Sequence, residues 1–330
     1  PGSTIIIPRR IQLASTLEKI SAVTSIFYQL TLSLAGIESV LNDWKKLFYF
    51  MKVLVTGGAG YIGSHMIYSL IDQKKSVVSI DNLSTGNRNI LPKSIKLKYL
   101  NVGAGNDVTE FLIKEDIKTV IHFAADVIVS ESIENPIKYY TNNTLNTINF
   151  FKSCKDAAVK NIIFSSTAAV YGSNKKHILS EDMETNPISP YGQSKLFSEK
   201  ILSDICKADK IKFLIFRYFN VAGSDPKKRT GQISPNATHL IKVACETALG
   251  KRDKISIFGD DYNTKDGTCI RDYIHVWDLV DAHIKGIEYL EKGGVSKILN
   301  CGYGSGYSVI EVLDALEKII GKPLKRNIAE

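Results

Sequence analysis

Residues 52–63 read KVLVTGGAGYIG, a short apolar run that stops at a cluster of glycines. The apolar, β-branched pattern at 52–56 predicts a buried strand, and the mixed pattern at 61–71 predicts a helix. A second apolar run at 76–80 ends at Asp81. The order strand, glycine turn, helix, strand predicts a βαβ unit with two parallel strands.

The glycines of this unit, Gly57, Gly60 and Gly63, each have a physical reason. A tight strand-to-helix turn needs a residue without Cβ, a pyrophosphate approaches the backbone closely only over another glycine, and the third lets the helix pack against the strand. The N-terminus of the helix then faces the phosphates. The alternative is an ordinary helix cap followed by a coincidental acid.

The acid at the end of the second strand indicates which dinucleotide binds. Asp81 lies eighteen residues after Gly63, where a carboxylate accepts hydrogen bonds from the adenosine ribose hydroxyls. A negative charge at this point repels a 2′-phosphate. We therefore predict NAD, rather than NADP, as the cofactor.

The alternation of strands and helices continues along the chain. Strand-like runs lie at 95–100, 118–123, 161–166 and 212–216, and longer helical segments at 137–156 and 191–206. This order predicts a parallel sheet covered on both faces. From about residue 220 the alternation weakens. We predict an α/β fold, a doubly wound parallel sheet (Rossmann), with an N-terminal extension at 1–50, an NAD-binding domain at 51–220 and a smaller substrate-binding domain at 221–330.

Composition excludes several classes of protein. Of the 330 residues, 44% are hydrophobic and 23% charged, which is typical of a globular protein rather than a disordered or membrane protein. The net charge of +8 is spread over lysine pairs without interleaved aromatic residues, so we expect no nucleic-acid partner. The five cysteines are far apart and odd in number, which indicates reduced thiols, a cytoplasmic enzyme and no metal site.

The first 50 residues differ from the rest of the chain. The uncharged stretch 21–37 is interrupted by serines and threonines and is shorter than the roughly 20 apolar residues of a membrane span, so we expect no membrane segment. Arg9 and Arg10 precede an apolar run, but no cleavage site for a targeting peptide follows. We expect a short helical extension before a body that starts at Met51.

Tyr191, Lys195 and Thr167 are the candidate catalytic residues. Tyr191 and Lys195 are four residues apart and share one face of a predicted helix. A lysine ammonium beside a phenol lowers the tyrosine pKa from about 10 toward neutrality, as a general base for an alcohol requires. Thr167 ends a strand, at the edge of the sheet where α/β proteins bind ligands. Such a Tyr-Lys pair is also common on structural helices, and the glycine loop upstream favours the catalytic interpretation.

Four further strings identify a family. They read HFAA at 122–125, YYTNN at 139–143, RYFN at 217–220 and GTCIRDYIHV at 267–276. Together they resemble the fingerprints of bacterial UDP-glucose 4-epimerases, which are extended short-chain dehydrogenases/reductases. The resemblance covers nearly all of residues 51–325 in order.

The resemblance implies a role for particular positions of this chain. The residues that it places at NAD are Gly57, Gly60, Tyr61, Ile62, Gly63, Asp81, Asn82, Asn101, Val102, Phe123, Ala124, Asn142, Ser165, Tyr191, Lys195 and Tyr218. Those that it places at the nucleotide sugar are Thr167, Tyr191, Tyr218, Asn220, Leu240, Phe258 and Arg271. These roles are physically reasonable, because Arg271 can pair with a phosphate through two hydrogen bonds and Phe258 can face the uracil.

Structural roles are the alternative for several of these side chains. Tyr218 and Phe258 have the character of core aromatic residues, and Arg271 has Asp272 and Asp278 as possible ion-pair partners. For two histidines in the fingerprints a structural role is also the alternative. We expect His122 to pack at the end of a strand, and His275 suits a core position as well as a ligand.

The chain departs from the family pattern at three places. Asn101 stands where the family usually has an aspartate that binds adenine, and Val127 replaces a lysine of some relatives. The chain stops at Glu330, before the Arg-Arg-x-Gly-Asp string with which the family clamps the diphosphate. We therefore expect a truncated substrate-binding domain, which puts the substrate affinity of this chain in question.

The implied activity is the NAD-dependent interconversion of UDP-glucose and UDP-galactose, a step of galactose metabolism. The sugar is oxidised at C4, rotates as a 4-keto sugar, and is reduced on its other face. Relatives commonly form homodimers through two long helices, here 137–156 and 191–206.

Three alternative activities stay open at this point. The first is another nucleotide-sugar 4-epimerase, acting on N-acetylated sugars or pentoses. The second is a 4,6-dehydratase, which has Asp-Glu where this chain has Ala168 and Ala169. The third is a non-catalytic NAD-binding module, which the missing clamp suggests.

Overall fold

A computed structural model describes residues 4–5, 52–173, 178–234 and 238–329 of the chain. The helical extension expected over residues 1–50, with its uncharged stretch at 21–37, therefore lies outside the described residues, except for the two-residue strand Thr4–Ile5. Within the described ranges, no helix combines the length and the apolar character needed to cross a bilayer.

Six strands, β2 to β7, follow the predicted runs to within a few residues, and the other strands were not predicted. They are β1 (Thr4–Ile5), β2 (Val53–Thr56), β3 (Val77–Asp81), β4 (Lys96–Tyr99), β5 (Thr119–His122), β6 (Asn161–Thr167), β7 (Lys212–Tyr218), β8 (Asn220–Ala222), β9 (Ile255–Phe258), β10 (Ile270–His275), β11 (Lys297–Cys301), β12 (Gly306–Ser308) and β13 (Arg326–Ala329). Eight of them form one parallel sheet in the order β1-β11-β7-β6-β5-β2-β3-β4. The predicted doubly wound α/β fold is confirmed.

The helices alternate with these strands. They are α1 (Tyr61–Asp72), α2 (Asn106–Lys114), α3 (Val129–Glu134), α4 (Pro136–Tyr139), α5 (Asn146–Asp156), α6 (Pro190–Asp209), α7 (Leu240–Ala248), α8 (Val276–Glu291) and α9 (Val309–Ile320). A π-helical turn, Tyr140–Leu145, joins α4 to α5, so the single helix predicted at 137–156 contains a π turn. Helix α6 begins at Pro190 because the Ser189 hydroxyl caps the N–H of Gly192 at 3.2 Å.

The strand order reverses between β2 and β5. From β2 the chain adds β3 and β4 on one side, and then β5, β6 and β7 on the other. Ligands of such sheets bind outside the carboxyl ends of the strands at this reversal. Gly57 follows β2 and Phe123 follows β5, so the residues singled out in the sequence meet at this point.

The core of the sheet consists of strands that are buried along their whole length. All residues of β2, β5 and β6 are buried, as expected for parallel strands covered by helices on both faces. Helices α2, α5 and α6 cover one face with the buried side chains Leu112, Phe150, Phe151 and Leu202. This packing gives the carboxyl edge of the sheet a rigid support.

The C-terminal third contributes strands to three sheets. Strands β8, β10 and β12 form a second sheet, and β9 pairs with β13 next to α7 and α9 around Ile257 and Leu313. Strand β11 returns to the central sheet beside β7, and α8 packs on that sheet so closely that a Cβ on Gly286 would lie 2.9 Å from Leu214 Cδ1. The central sheet is therefore completed by a strand from the last third of the chain.

Two neighbouring residues of α2 allow a matched test of this core. Leu112 is fully buried and Ile113 is 59% exposed. We expect Leu112→Ala to lower the free energy of unfolding by about 2–5 kcal/mol, because it leaves a cavity under the sheet. Ile113→Ala is the control, with an expected change within about 0.5 kcal/mol. Urea denaturation of both variants measures the difference, and equal effects would contradict the packing.

Candidate active site

The glycine turn after β2 is packed against the end of β5. Gly57 has a φ of +66°, and a Cβ there would lie 2.8 Å from the backbone nitrogen of Ala124. A Cβ on Gly63 would lie 2.2 Å from the carbonyl oxygen of Gly57. Only glycine fits at either position, and the turn leads directly into the N-terminus of α1, the end of a helix that suits an anion.

Asp81 supports this turn from the end of β3. Its Oδ2 accepts the N–H of Ala59 at 2.9 Å, and its Oδ1 accepts the N–H of Leu83 at 2.8 Å. Burial raises the pKa of this carboxyl, and the two backbone hydrogen bonds oppose the shift. The acid that the sequence assigns to the ribose thus also connects the glycine loop to the loop after β3.

A groove of about 530 Å³ lies in front of the turn. Its lining includes these predicted cofactor residues: Gly57, Gly60, Asp81, Asn82, Asn101, Val102, Phe123, Ala124 and Asn142. The sequence analysis did not single out its other lining residues, Ser84, Thr85, Gly86, Leu100 and Ala125. Each of these five lies within a few residues of a predicted one, so proximity to the strand ends was the available signal.

The remaining predicted cofactor residues lie behind or beside this groove. The Tyr61 hydroxyl donates to the carbonyl oxygen of Gly223 at 2.6 Å, while Ile62 is half-buried and Gly63 is buried. The hydroxyls of Ser165 and Tyr218 form a hydrogen bond with each other in the interior. Tyr61 therefore connects the cofactor helix to the loop after β8.

Thr167 and Tyr191 form a hydrogen-bonded pair at the carboxyl edge of the sheet. Tyr191 lies in the first turn of α6, and its half-buried side chain is hydrogen-bonded to Thr167 at the end of β6. Burial raises the pKa of Tyr191, and the hydrogen bond with Thr167 opposes that shift. The threonine also accepts the N–H of Ala169 at 3.1 Å, which orients its hydroxyl.

Lys195 lies one turn further along α6 and has a different partner from the one expected. Its ammonium donates to the carbonyl oxygen of Ser165 at 2.9 Å and lies 5.0 Å from the centre of the Phe164 ring. Burial lowers the pKa of Lys195 to about 8, while Glu199 opposes the shift. The expected depression of the Tyr191 pKa by Lys195 is therefore not observed, because the ammonium points at a backbone carbonyl and burial dominates at the phenol.

The π turn connects the groove to α6. The Asn142 side chain donates to the Asp126 carboxylate at 2.9 Å, and the N–H of Asp126 donates to Asn143 Oδ1 at 2.8 Å. The Asn143 amide also reaches the Ser194 hydroxyl at 3.3 Å. The sequence pattern gives no sign of Asp126 and assigns no role to Asn143 of the YYTNN string, because the helical period does not show where a π turn presents two successive asparagines.

A second groove, of about 1200 Å³, lies between β8 and α7. Asn220 and Leu240 line it together with Lys242 and Tyr273. The other five predicted substrate residues are outside its lining: Thr167, Tyr191, Tyr218, Phe258 and Arg271. Phe258 is 72% exposed at the end of β9, and the exposed Arg271 donates to the carbonyl oxygen of Ile270 at 2.9 Å.

The alternative partners of Arg271 are engaged elsewhere. Asp272 accepts the N–H groups of Tyr303 and Gly304, and Asp278 is hydrogen-bonded to the Tyr303 hydroxyl. Arg271 therefore remains a candidate for an external anion.

The histidines have structural partners. Buried His122 is bonded to the Thr56 and Thr147 hydroxyls at 2.8 and 3.2 Å, at a strand end as predicted. The ring of His275 accepts the N–H of Trp277 and caps α8. In the described ranges, no group of three His, Cys, Asp or Glu side chains is arranged as a metal site.

Comparison with known proteins identifies the family. The family described as "NAD dependent epimerase/dehydratase family" matches residues 53–302. The chain belongs to this family. It is 47% identical to the UDP-glucose 4-epimerase of Azospirillum brasilense over 279 residues, which cover 84% of this chain and 80% of the relative.

Two solved structures of epimerases show the same fold. The UDP-glucose 4-epimerase from Brucella ovis in complex with NAD has a TM-score of 0.82 and 38% identity, and the match covers 84% of this chain and 85% of that one. The UDP-Glc/GlcNAc 4-epimerase from Campylobacter jejuni has a TM-score of 0.73 and 45% identity, with 84% and 86% coverage. The resemblance indicated by the sequence strings is confirmed.

The cofactor of the NAD dependent epimerase/dehydratase family fits the first groove. The fit rests on the lining of the groove, which includes Gly57 and Gly60 of the glycine turn before α1 together with Asp81. That N-terminus suits a pyrophosphate, and the carboxylate of Asp81 at the groove suits ribose hydroxyls rather than a phosphate. The cofactor is NAD.

Gly63→Ala tests this cofactor turn of the epimerase fold. The added Cβ must displace the Gly57 backbone, so we expect the NAD affinity to fall about tenfold or more, a loss of about 1.4 kcal/mol or more of binding free energy. The control is Gly231→Ala, whose Cβ would meet nothing closer than 3.7 Å. NAD titration by isothermal calorimetry compares the two, and unchanged affinity in Gly63→Ala would contradict the packing of the turn.

Proposed function

We propose that this chain is an NAD-dependent 4-epimerase that interconverts UDP-glucose and UDP-galactose. The observation that carries the proposal is the position of Thr167 at the end of β6 and of Tyr191 in the first turn of α6, side by side at the same sheet edge as the glycine groove. Identity of 47% to the Azospirillum brasilense epimerase supports the substrate assignment. In this proposal residues 51–220 carry the NAD site with Thr167, Tyr191 and Lys195, and residues 221–330 form the nucleotide-sugar-binding domain.

Tyr191 and Thr167 carry out the proton transfer in this proposal. NAD, when bound, supplies the acceptor and donor of the hydride at sugar C4. Tyr191 takes the proton of the sugar 4-hydroxyl and returns it after the sugar has turned over, and Thr167 shares that proton through the hydrogen bond between the two side chains. Both faces of the sugar thus meet the same phenol.

Lys195 sets the charge around Tyr191. A lysine whose pKa is about 8 carries its proton at neutral pH. Moved from the Ser165 carbonyl toward the phenol, its ammonium stabilises the phenolate and offsets the burial that raises the Tyr191 pKa. We propose this movement as the step that prepares Tyr191 to act as a base.

The nucleotide is the anchor that lets the sugar turn. Asn220 and Leu240 line the groove between β8 and α7, and we propose that this groove holds the diphosphate and uridine. Phe258 and Arg271 approach the nucleotide from their exposed positions, as an aromatic face and a guanidinium that pairs with phosphate. The sugar is then attached only through its phosphate bond and is free to rotate.

Two observations separate this activity from its alternatives. The turn Ala168–Tyr171 after Thr167 contains no carboxylate where a 4,6-dehydratase has an acid, so this chain lacks a group for elimination at that point. The hydrogen-bonded Thr167 and Tyr191 pair disfavours a module that only binds NAD. N-acetylated sugars stay a second candidate, because the 45% identical Campylobacter jejuni enzyme is named a UDP-Glc/GlcNAc 4-epimerase.

The activity is tested by incubating the chain with NAD and single UDP-sugars and identifying the products by NMR. We expect UDP-galactose to give UDP-glucose without net reduction of NAD. Conversion of UDP-N-acetylglucosamine at an equal or higher rate would move the substrate to the N-acetylated class. A 4-keto-6-deoxy product would indicate the dehydratase, and no product with any UDP-sugar would indicate the binding module.

Replacement of Tyr191 tests the proton transfer. We expect Tyr191→Phe to lower kcat by about 10²–10⁴-fold, because general acid–base catalysis by one side chain contributes a factor of this size. NAD affinity should stay within twofold, since the ring is retained. Tyr140→Phe is the matched control, because that ring packs on Phe197 at 6.2 Å, away from Thr167. Unchanged kcat in Tyr191→Phe would exclude the proposed role.

We also propose that two copies of the chain associate in the cytoplasm as a homodimer. Ile137 and Leu145 are 73% and 52% exposed, eight residues apart along α4 and the π turn, and Phe197 on α6 is 40% exposed beside them. Apolar groups at this spacing form one face of two packed helices. A second copy that presents the same face covers it, and the free thiols of all five cysteines support the reducing compartment.

Ile137→Asp tests the dimer. A carboxylate placed in the centre of this face opposes burial, so we expect the mass in solution to fall from two chains to one. Ile113→Asp, at an exposed position of α2, should leave the mass unchanged. Size-exclusion chromatography with light scattering measures both, and a wild-type chain that is monomeric at high micromolar concentration would refute the dimer.

A further inference from the structure

A buried ion pair lies directly behind the catalytic residues. The Arg217 guanidinium on β7 donates to both carboxylate oxygens of Glu199 on α6, with distances of 2.6 Å from Nη2 and 3.0 Å from Nε. The two side chains are 5% and 2% exposed. Glu199 lies one helical turn beyond Lys195, so the pair connects β7 to the helix that carries both Tyr191 and Lys195.

The same arginine also reaches the segment that follows Thr167. Its Nη1 donates to the Tyr171 hydroxyl at 3.0 Å, and the guanidinium lies 5.0 Å from the centre of that ring. The Tyr171 hydroxyl donates in turn to Asn300 Oδ1 at 2.7 Å. Tyr171 ends the turn Ala168–Tyr171, whose first N–H groups are capped by Thr167.

A third branch reaches the loop before α6. The Asn300 amide donates to the carbonyl oxygen of Leu179 at 3.1 Å, and its backbone N–H donates to Glu181 at 2.8 Å. This loop leads to Ser189 and then to Tyr191. On the other side, the Ser166 hydroxyl donates to Glu199, between Thr167 and the Ser165 carbonyl that accepts the Lys195 ammonium.

We propose that Arg217, with Glu199 and Tyr171, is a positioning residue for the epimerase reaction, because it sets the distance between Thr167 on β6 and Tyr191 on α6. The inference rests on the proposed function. The hydrogen bonds that the Arg217 side chain forms within the described residues go to Glu199 and Tyr171, neither of which lines a groove, so its effect passes through the two segments that it joins.

A buried ion pair such as Arg217 and Glu199 adds little to the free energy of folding. Burying two charges costs about as much as their attraction returns, and apolar residues of similar volume are often equally stable. A bidentate guanidinium has instead a fixed geometry, which a pair of apolar side chains lacks. Displacement of a catalytic group by about 1 Å lowers the rate by as much as about 10²-fold.

The groups that face Tyr191 give a readout independent of turnover. They are Thr167 from β6, Tyr139 from α4 at 6.4 Å between ring centres, Tyr218 from β7, and Lys195 on the same helix. Of these, Thr167 lowers the pKa of the phenol through a hydrogen bond. Loss of the Thr167 contact therefore raises the Tyr191 pKa.

The experiment compares Arg217→Met, Arg217→Lys and Tyr171→Phe with the wild-type chain. We expect kcat to fall about 10–100-fold in Arg217→Met and less in Tyr171→Phe, with KM for UDP-galactose and NAD affinity within twofold. Arg217→Lys should recover part of kcat, because it keeps the charge beside Glu199 without the fixed fork. We expect the Tyr191 pKa to rise in all three variants. It is measured from the phenolate absorbance during a pH titration, after subtraction of the same titration of each variant that also carries Tyr191→Phe.

The matched control is Glu115→Gln. Glu115 is an equally buried acid, 6% exposed and paired with Lys52 and Lys96 at the amino edge of the sheet. We expect it to lower thermal stability without a change in kcat or in the Tyr191 pKa. Arg217→Met is not a sufficient test by itself, because it leaves a buried carboxylate without its guanidinium partner. If this variant fails to fold, Tyr171→Phe and Arg217→Lys decide the outcome.

The outcomes distinguish the two proposals. Folded Tyr171→Phe and Arg217→Lys with wild-type kcat and wild-type Tyr191 pKa would overturn the positioning role. A wild-type chain without epimerase activity would count against the proposed function alone, since the Tyr191 pKa of the variants still decides whether the network positions Thr167.

Discussion

The close approach of two backbones organises the catalytic face of this protein. Gly57 after β2 and Ala124 after β5 are so near that a single methyl group on the glycine would lie 2.8 Å from the alanine nitrogen. Because the strand order reverses between these two strands, the helices that follow them diverge and leave a groove. That groove is lined by the glycine turn before α1, by Asp81 and by Asn142 of the π turn. Asp81 also accepts a hydrogen bond from the turn itself.

Polar side chains hold the carboxyl edge together, whereas apolar side chains fill the rest of the sheet. Glu199, Arg217 and Lys195 are buried near Thr167 and Tyr191, and each has hydrogen-bond partners in the protein. Buried charges are costly to leave unpaired, so this edge tolerates fewer arrangements than an apolar core. The restriction suits a site in which a threonine on a strand and a tyrosine on a helix share one proton.

The contrast between Tyr191 and Lys195 illustrates how far sequence patterns reach. A spacing of four residues correctly places both side chains on one face of α6. It does not show that the lysine ammonium reaches back to the Ser165 carbonyl, or that burial raises the tyrosine pKa. Those outcomes depend on β6, which is separated from α6 in the chain and meets it only in the folded protein.

Local pattern and local chemistry were sufficient for the strands, the helices, the glycine turn and the choice of NAD, because period, glycine spacing and a terminal acid act over a few residues. Residue spacing also indicated the candidate catalytic residues Thr167, Tyr191 and Lys195, and the family strings added several further residues of the groove. The Arg217 network, the π turn at Asn142 and Asn143, and the return of β11 to the central sheet were not predictable in this way. Each joins segments that are far apart in the chain, so its partners are chosen by packing between elements, which no local pattern records.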